Sequence, residues 1–337
     1  MKKVLAFLVV LAISLLSLAA CTNAETEDNT QIRIGYMQGP TGMGMAKLIH
    51  DNGGVSGNDK YQFVKYGDVK EATAALLAGN IDVACLPTNN AAALYNSQAG
   101  NVRVLALNCL NSLYVMTKSG TEIETISDLE GKTVYTIANG TPKVILEYII
   151  DEMGLDITVE TTATVGNSEK ELTQPSDLAS ALIAGAVDIA LVPEPVATAA
   201  PLKISTMEKD YTYSVAFPLS DAWEYVSDQP VAMGCVVTTA DFAEAHPLAI
   251  NSFLDDYKAS IEYVSDSANY DVAAEYIVEA GVLDAAAAAK KSLMNLGDAI
   301  SYVDGARMQA ILDAFYNAID YSVIGGNVPD ESFYYKK

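Results

Sequence analysis

Residues 72–87 and 178–193 carry one hydrophobic pattern twice. In each, an Ala/Leu-rich run at helical spacing ends at a glycine, a β-branched run of strand length follows, and a proline ends it. The offset is 106 residues with no gap: Ala75, Leu76, Ala78, Gly79, Asp82, Ala84 and Pro87 recur as Ala181, Leu182, Ala184, Gly185, Asp188, Ala190 and Pro193. Each glycine suits a left-handed helix stop. The strands lack a polar face, as strands buried on both sides of a parallel sheet do. Each proline leads into a loop, Thr88-Asn89-Asn90 in one copy and Glu194-Pro195 in the other, and an Ala-rich helix opens after it. A period of 106 residues is too long for a solenoid, whose repeats run about 20–50 residues. The pattern predicts two α/β units of like design facing each other.

A second correspondence runs the same way. Ile32–Met37 reads as a strand, followed by a Gly39–Gly44 turn and a helix from Met45 to Asp51. Thr133–Ile137 reads as a strand, followed by Asn139-Gly140-Thr141-Pro142 and a helix from Lys143 to Met153. In both turns a threonine stands near the helix N-cap, and Pro142 is close to the first helical position. Asn111–Met116 predicts a further strand, with the chain crossing between units near 117–123 and returning near 227–233 into a strand over Val231–Thr238. Helical spacing then covers Phe242–Val264, interrupted at His246-Pro247, then Ala273–Leu283 and Gly305–Ile319.

The first residues are read apart from the fold. Lys2 and Lys3 precede an apolar run from Val4 to Leu18, and Leu18-Ala19-Ala20-Cys21 looks like a bacterial lipobox. The expectation is a signal peptide over 1–20, a lipidated Cys21 and a polar tether over 21–30. A two-chain lipid anchor holds a protein stably where one chain is marginal. The protein is then placed on the outer face of the cytoplasmic membrane, with the lipid bilayer as a partner through Cys21. The remaining division is a discontinuous lobe 1 over 31–118 and 231–330, carrying the C-terminal helices, and a lobe 2 over 119–230.

Charge and composition narrow the function. There are 20 Lys+Arg against 43 Asp+Glu, a net charge of −23, with no basic stripe. That excludes nucleic acid as a partner. Two histidines exclude a His-rich metal site, and no metal or cofactor is expected. Cys85, Cys109 and Cys235 each sit in an apolar strand-like run and read as small buried hydrophobes. No Gly-x-Ser-x-Gly is present, and Gly39–Gly44 has the phosphate-loop glycine spacing but Met45 where the lysine belongs. An enzyme is not expected.

The lipoprotein start, the strand–Gly/Thr turn–helix opening, the doubled Ala-Gly-x-[Ile/Val]-Asp-[Val/Ile]-Ala-x-x-Pro block and the Phe242–Ala249 helix together resemble one family. These are the solute-binding proteins of ABC importers of the nitrate/sulfonate/taurine type, which includes thiamine-precursor binders. The resemblance implies an α/β, two-lobed type II periplasmic-binding-protein fold. Each lobe is a mostly parallel sheet flanked by helices, two segments cross between them, and hinge closure traps a small-molecule ligand. It also implies ABC permease subunits as partners, with the protein a monomer. Enzymes and ligand sensors on the same architecture stand as alternatives.

Ligands of open α/β sheets bind beyond the carboxyl ends of the strands. That nominates four loops, 38–44, 87–90, 139–143 and 193–196. The candidate ligand-binding residues are Gly39, Thr41, Gly42, Met43, Thr88, Asn89, Asn111, Asn139, Thr141, Glu194 and Trp223. Asn108 and Ser112 flank the crossing, and Tyr36, Met37 and Met43 border the first loop. The resemblance implies an acidic ligand or interlobe contact at Glu194. No arginine falls in these loops, so a dianion is disfavoured. A monoanion of the sulfonate, taurine or nitrate kind and an uncharged or amine-bearing heterocycle such as an aminopyrimidine both remain open.

Overall fold

The structure, a computed structural model, describes residues 28–138 and 141–337. The signal segment, Cys21 and Asn139 lie outside the described residues. The chain begins β1 (Ile32–Met37), α1 (Pro40–Met43), α2 (Ala46–Asp51), β2 (Tyr61–Tyr66), α3 (Val69–Leu77), β3 (Val83–Pro87), α4 (Thr88–Ser97) and β4 (Arg103–Leu110). It continues β5 (Leu113–Lys118), β6 (Thr133–Tyr135), α5 (Thr141–Met153), β7 (Thr158–Glu160), β8 (Thr162–Val165), β9 (Ser168–Glu171), α6 (Pro175–Ala184), β10 (Ile189–Pro193) and α7 (Val196–Ser205). Then follow β11 (Tyr213–Pro218), α8 (Leu219–Trp223), β12 (Ala232–Thr238), α9 (Ala240–Ala245), α10 (Pro247–Ser265), α11 (Tyr270–Glu279), α12 (Ala286–Leu296) and α13 (Gly305–Ala318).

Two five-stranded sheets form, in the orders β2-β1-β3-β12-β4 and β11-β5-β10-β6-β7, with β8-β9 as a separate hairpin. The repeat read from the sequence is the centre of both. β3 lies between parallel β1 and antiparallel β12, and β10 lies between parallel β6 and antiparallel β5. Both strands are buried along their length except at the closing proline. Gly79 (φ +67°) and Gly185 (φ +70°) take the left-handed stops that the preceding helices need. Asp68 starts α3 by accepting from the Glu71 amide at 2.9 Å, and Gln174 with Asp177 forms a capping box on α6.

One boundary differs from the sequence expectation. Leu113–Lys118, grouped above with lobe 1, hydrogen-bonds β10 and β11 in the second sheet. The chain therefore crosses at Asn111 and Ser112, ahead of the 117–123 segment. The reason is that β4 and β5 are both buried nearly throughout. Their side-chain pattern does not say which sheet each belongs to. β5 and β12 are the antiparallel strands of their sheets, and each follows directly on a crossing from the other sheet.

The first sheet is covered on both faces. α2, α10, α11 and α12 contribute Leu48, Phe253, Tyr257, Ile277 and Leu293 to one core. α3, α4 and α13 contribute Leu76, Leu94, Ile311 and Phe315 to another, which continues to Val115, Ile145 and Leu191 of the second sheet. α6 and α7 cover the remaining face of the second sheet with Leu178, Leu182 and Ile204. Cys85, Cys109 and Cys235 are free and buried, and burial pushes the thiols of Cys85 and Cys109 up to about 12. Among the described residues no helix is long and apolar enough to cross a membrane.

Candidate functional site

Segments that follow strands of the two sheets meet in pairs, Gly39 with Glu194 and Asn89 with Thr141. Asn89, in the first turn of α4, accepts through Oδ1 from the Thr141 hydroxyl at 3.0 Å, and both side chains are buried. This bond joins the start of α4 to the start of α5, from one sheet's helices to the other's. Gly39 precedes α1 at φ +94°, and a Cβ on it would stand 3.9 Å from the Glu194 carbonyl oxygen. The left-handed backbone there favours glycine.

Glu194 follows β10 and is 1% exposed. Its amide donates to the Ser112 carbonyl at 3.2 Å, beside the crossing. Its carboxylate accepts from Thr198 Oγ1 at 2.9 Å, Asn295 Nδ2 at 2.9 Å and Ser292 Oγ at 3.1 Å. Ser292 and Asn295 stand on α12, which packs into the first sheet's core. The Tyr114 hydroxyl donates to the Asn295 carbonyl at 2.9 Å. Burial pushes the Glu194 carboxyl above its ordinary value, against the pull of its three donors. Burial, and then the Glu194 charge, pushes the Tyr114 phenol up. Sequence reasoning missed Ser292 and Asn295, since it assigned no helix to 286–296. The helix-forming run Ala285–Leu296 was the available signal.

Other candidates have different work. Asn111, at φ +47°, ties the two crossings: its amide donates to the Val231 carbonyl at 3.1 Å, and its Oδ1 accepts from the Val231 amide at 2.8 Å. Thr88 is fully buried, donates to the Ala232 carbonyl at 2.6 Å and fixes the end of β3 to β12. Gly42 is glycine for packing, because a Cβ would fall 2.0 Å from the Met37 carbonyl. Met43 is wholly buried in the first sheet's core, as is Tyr36, whose hydroxyl donates to the Ala280 carbonyl. Trp223 is 1% exposed, between Tyr148 and Phe315, and its indole N–H donates to the Gln229 carbonyl at 2.6 Å. Its ring packs into the core between them. Thr41 is half-buried beside Gly39.

Among these mouth residues Glu194 is the only ionisable acid. The nearest cation foreseen, Lys143, pairs with Glu147 at 3.0 Å. The histidines lie elsewhere, His50 against Glu279 and His246 against Asp28. Among the described residues no group of three or more His, Cys, Asp or Glu is placed to hold a metal ion.

A family model described as NMT1/THI5 like matches residues 63–268. No curated protein matches the chain in sequence. An ABC transporter structure from Parabacteroides distasonis is similar at 20% identity over 91% of this chain and 99% of that one, with a TM-score of 0.69. The periplasmic aliphatic sulphonate binding protein SsuA from Escherichia coli is similar at 17% identity over 92% and 93%, with a TM-score of 0.67. The periplasmic nitrate-binding protein NrtA from Synechocystis PCC 6803 is similar at 14% identity over 84% and 75%, with a TM-score of 0.55. The architecture is the type II periplasmic-binding-protein fold.

Proposed function

The chain belongs to the NMT1/THI5-like family, and from that premise we propose that it captures a small polar solute outside the cytoplasm and delivers it to the permease of an ABC importer. The observation that carries the reading is the convergence of loops from both sheets at one mouth, closed by the Asn89–Thr141 bond and by Glu194 reaching α12. The two lobes are the bodies built on the two sheets, hinged where Asn111 grips Val231. Gly39, Thr41, Asn89, Thr141 and Glu194 face the solute in this reading. SsuA and NrtA, by their names, bind an aliphatic sulphonate and nitrate, and a sulfonate, taurine or nitrate-like monoanion is the first solute class. An amine-bearing heterocycle is the second, favoured by an acid as the only charge foreseen at the mouth. No step of catalysis is part of the proposal, and turnover of a bound solute would count against it.

The test is a thermal-shift panel of taurine, aliphatic sulfonates, nitrate and aminopyrimidines, since a bound solute raises apparent stability by mass action. Calorimetry on the positive compound follows. Thr41→Val with Thr141→Val is expected to weaken binding by about 0.5–1.5 kcal/mol per hydroxyl, and unchanged affinity refutes this placement. Anchoring at the outer membrane face by a lipidated Cys21 is part of the same proposal. Cys21→Ser should leave an unprocessed precursor on a fractionation blot, and normal maturation refutes the lipobox.

A further inference from the structure

We propose that the side-chain oxygen of Asn108 is the floor of the solute site, an acceptor held for an N–H of the solute. The inference rests on the solute-binding reading and adds to it a preference between solute classes.

Asn108 stands on β4 at the end that opens on the mouth, and it is fully buried. Its Nδ2 donates to the Tyr257 hydroxyl oxygen at 3.0 Å and lies 3.7 Å from Cys85 Sγ. Both amide hydrogens thus have acceptors. In this orientation the NH2 takes both of these neighbours and leaves Oδ1 free. Among the described residues Asn108 Oδ1 is the one buried side-chain nitrogen or oxygen without a hydrogen-bond partner. Such atoms are rare in native proteins and call for a cause.

Its surroundings point to the mouth. A Cβ on Gly234 would lie 2.6 Å from Asn108 Oδ1 and 2.5 Å from Thr41 Cγ2. The oxygen and the threonine therefore sit side by side over a residue that has no side chain. Thr41 belongs to α1, directly after Gly39, which faces the Glu194 carbonyl across the mouth. An amide oxygen is the negative end of its dipole, and Glu194 is an acid. Both repel an acceptor-only oxyanion and attract a donor. The solute class this selects is one bearing an amine, an amide or an amino-substituted ring.

The experiment uses the whole mature chain and matched probes: taurine against ethanesulfonate, 4-amino-2-methylpyrimidine against 2-methylpyrimidine, and a low-molecular-weight dialysate of yeast extract. Thermal shift and calorimetry are run on wild type, Asn108→Leu and Asn108→Asp, the last keeping an oxygen in place. The expected result is a wild-type preference for the N–H member of a pair or for an N–H-bearing dialysate component. Asn108→Leu should then lose at least tenfold in affinity, and Asn108→Asp should keep the preference. Preference for the partner without N–H overturns the inference. So does Asn108→Leu binding as wild type does, the result expected if the oxygen holds only a water. Should Asn108→Leu fail to fold, loss of the preference in folded Asn108→Asp overturns it equally. A wild type shifted by none of the probes, dialysate included, is a different failure: it removes the solute-binding reading, and this inference with it.

Discussion

Asn295→Leu tests whether Glu194 fastens the two lobes. Leucine keeps the approximate volume and removes two bonds, from Asn295 Nδ2 to Glu194 Oε1 at 2.9 Å and to Thr198 Oγ1 at 2.7 Å. A hydrogen bond to a charged group contributes about 1.5–3 kcal/mol net, and 1.4 kcal/mol is about tenfold in an equilibrium. The closed-to-open ratio should fall by roughly ten- to a hundredfold on that arithmetic. The pH dependence has a definite sign. Burial raises the Glu194 carboxyl above its ordinary value of 4.5, and the proposed opening would part α7 from α12 and return it to water. Closing therefore takes up a proton. The closed form gains as pH falls, fully so below 4.5, and loses that gain as pH rises through the raised value. Removing the Asn295 donor takes away the strongest interaction holding the value down, so the window widens toward higher pH in the variant. Energy transfer between dyes on cysteines placed at Leu77 and Leu202, both 43% exposed and on opposite lobes, reads the ratio. The native thiols are buried, and burial raises their pKa, which leaves them unlabelled. An unchanged ratio together with an unchanged pH profile would refute the claim that this carboxylate holds the lobes together.

Two further outcomes follow from the packing of particular side chains. Trp223→Phe should lower stability by about 1–3 kcal/mol, from lost packing and the lost bond to Gln229, with solute affinity unchanged; urea midpoints and calorimetry on one preparation check both. Asp82→Ala should cost about 1–3 kcal/mol, because Asp82 is buried and accepts from the Arg33 amide at 2.8 Å and Nε at 2.9 Å. Asp188→Ala should stay within about 0.5 kcal/mol, since Asp188 is 73% exposed and only 3.4 Å from Lys118; equal losses in denaturant melts would sink the distinction.

That last pair marks how far the sequence could be read. The repeat located the central strand of each sheet to the residue, because a helix stop, a doubly buried strand and a closing proline are local signals. It did not show that Asp82 and Asp188 differ: Arg33 of the neighbouring strand holds a buried Asp82 through its amide and its guanidinium, while Lys118 meets an exposed Asp188 only at 3.4 Å. Nor did it show how deeply Trp223 and Met43 are packed. Proximity to a loop in the chain is not exposure in the fold, and both are claimed by cores built from distant segments. Asn111 was legible as a polar residue at the crossing, but its task depends on Val231, 120 residues away. Ser292 and Asn295 lie on a helix whose place against Glu194 is decided wholly by tertiary packing.

The two sheets share a design down to the strand each takes after a crossing, so the framework alone gives the two sides of the mouth equal standing. The loops break that symmetry. After β3 come Thr88 and Asn89, neutral groups, one spent on β12 and one on Thr141. After β10 comes Glu194, whose charge is buried against α12 of the opposite lobe. A buried carboxylate is costly unless its donors are in place, and two of its three donors belong to the other lobe. Opening the mouth therefore exchanges those two donors for water, while the neutral side gives up a single bond. The acidic loop is the one whose surroundings change most on closing, and the coupling between closure and solute should be concentrated there.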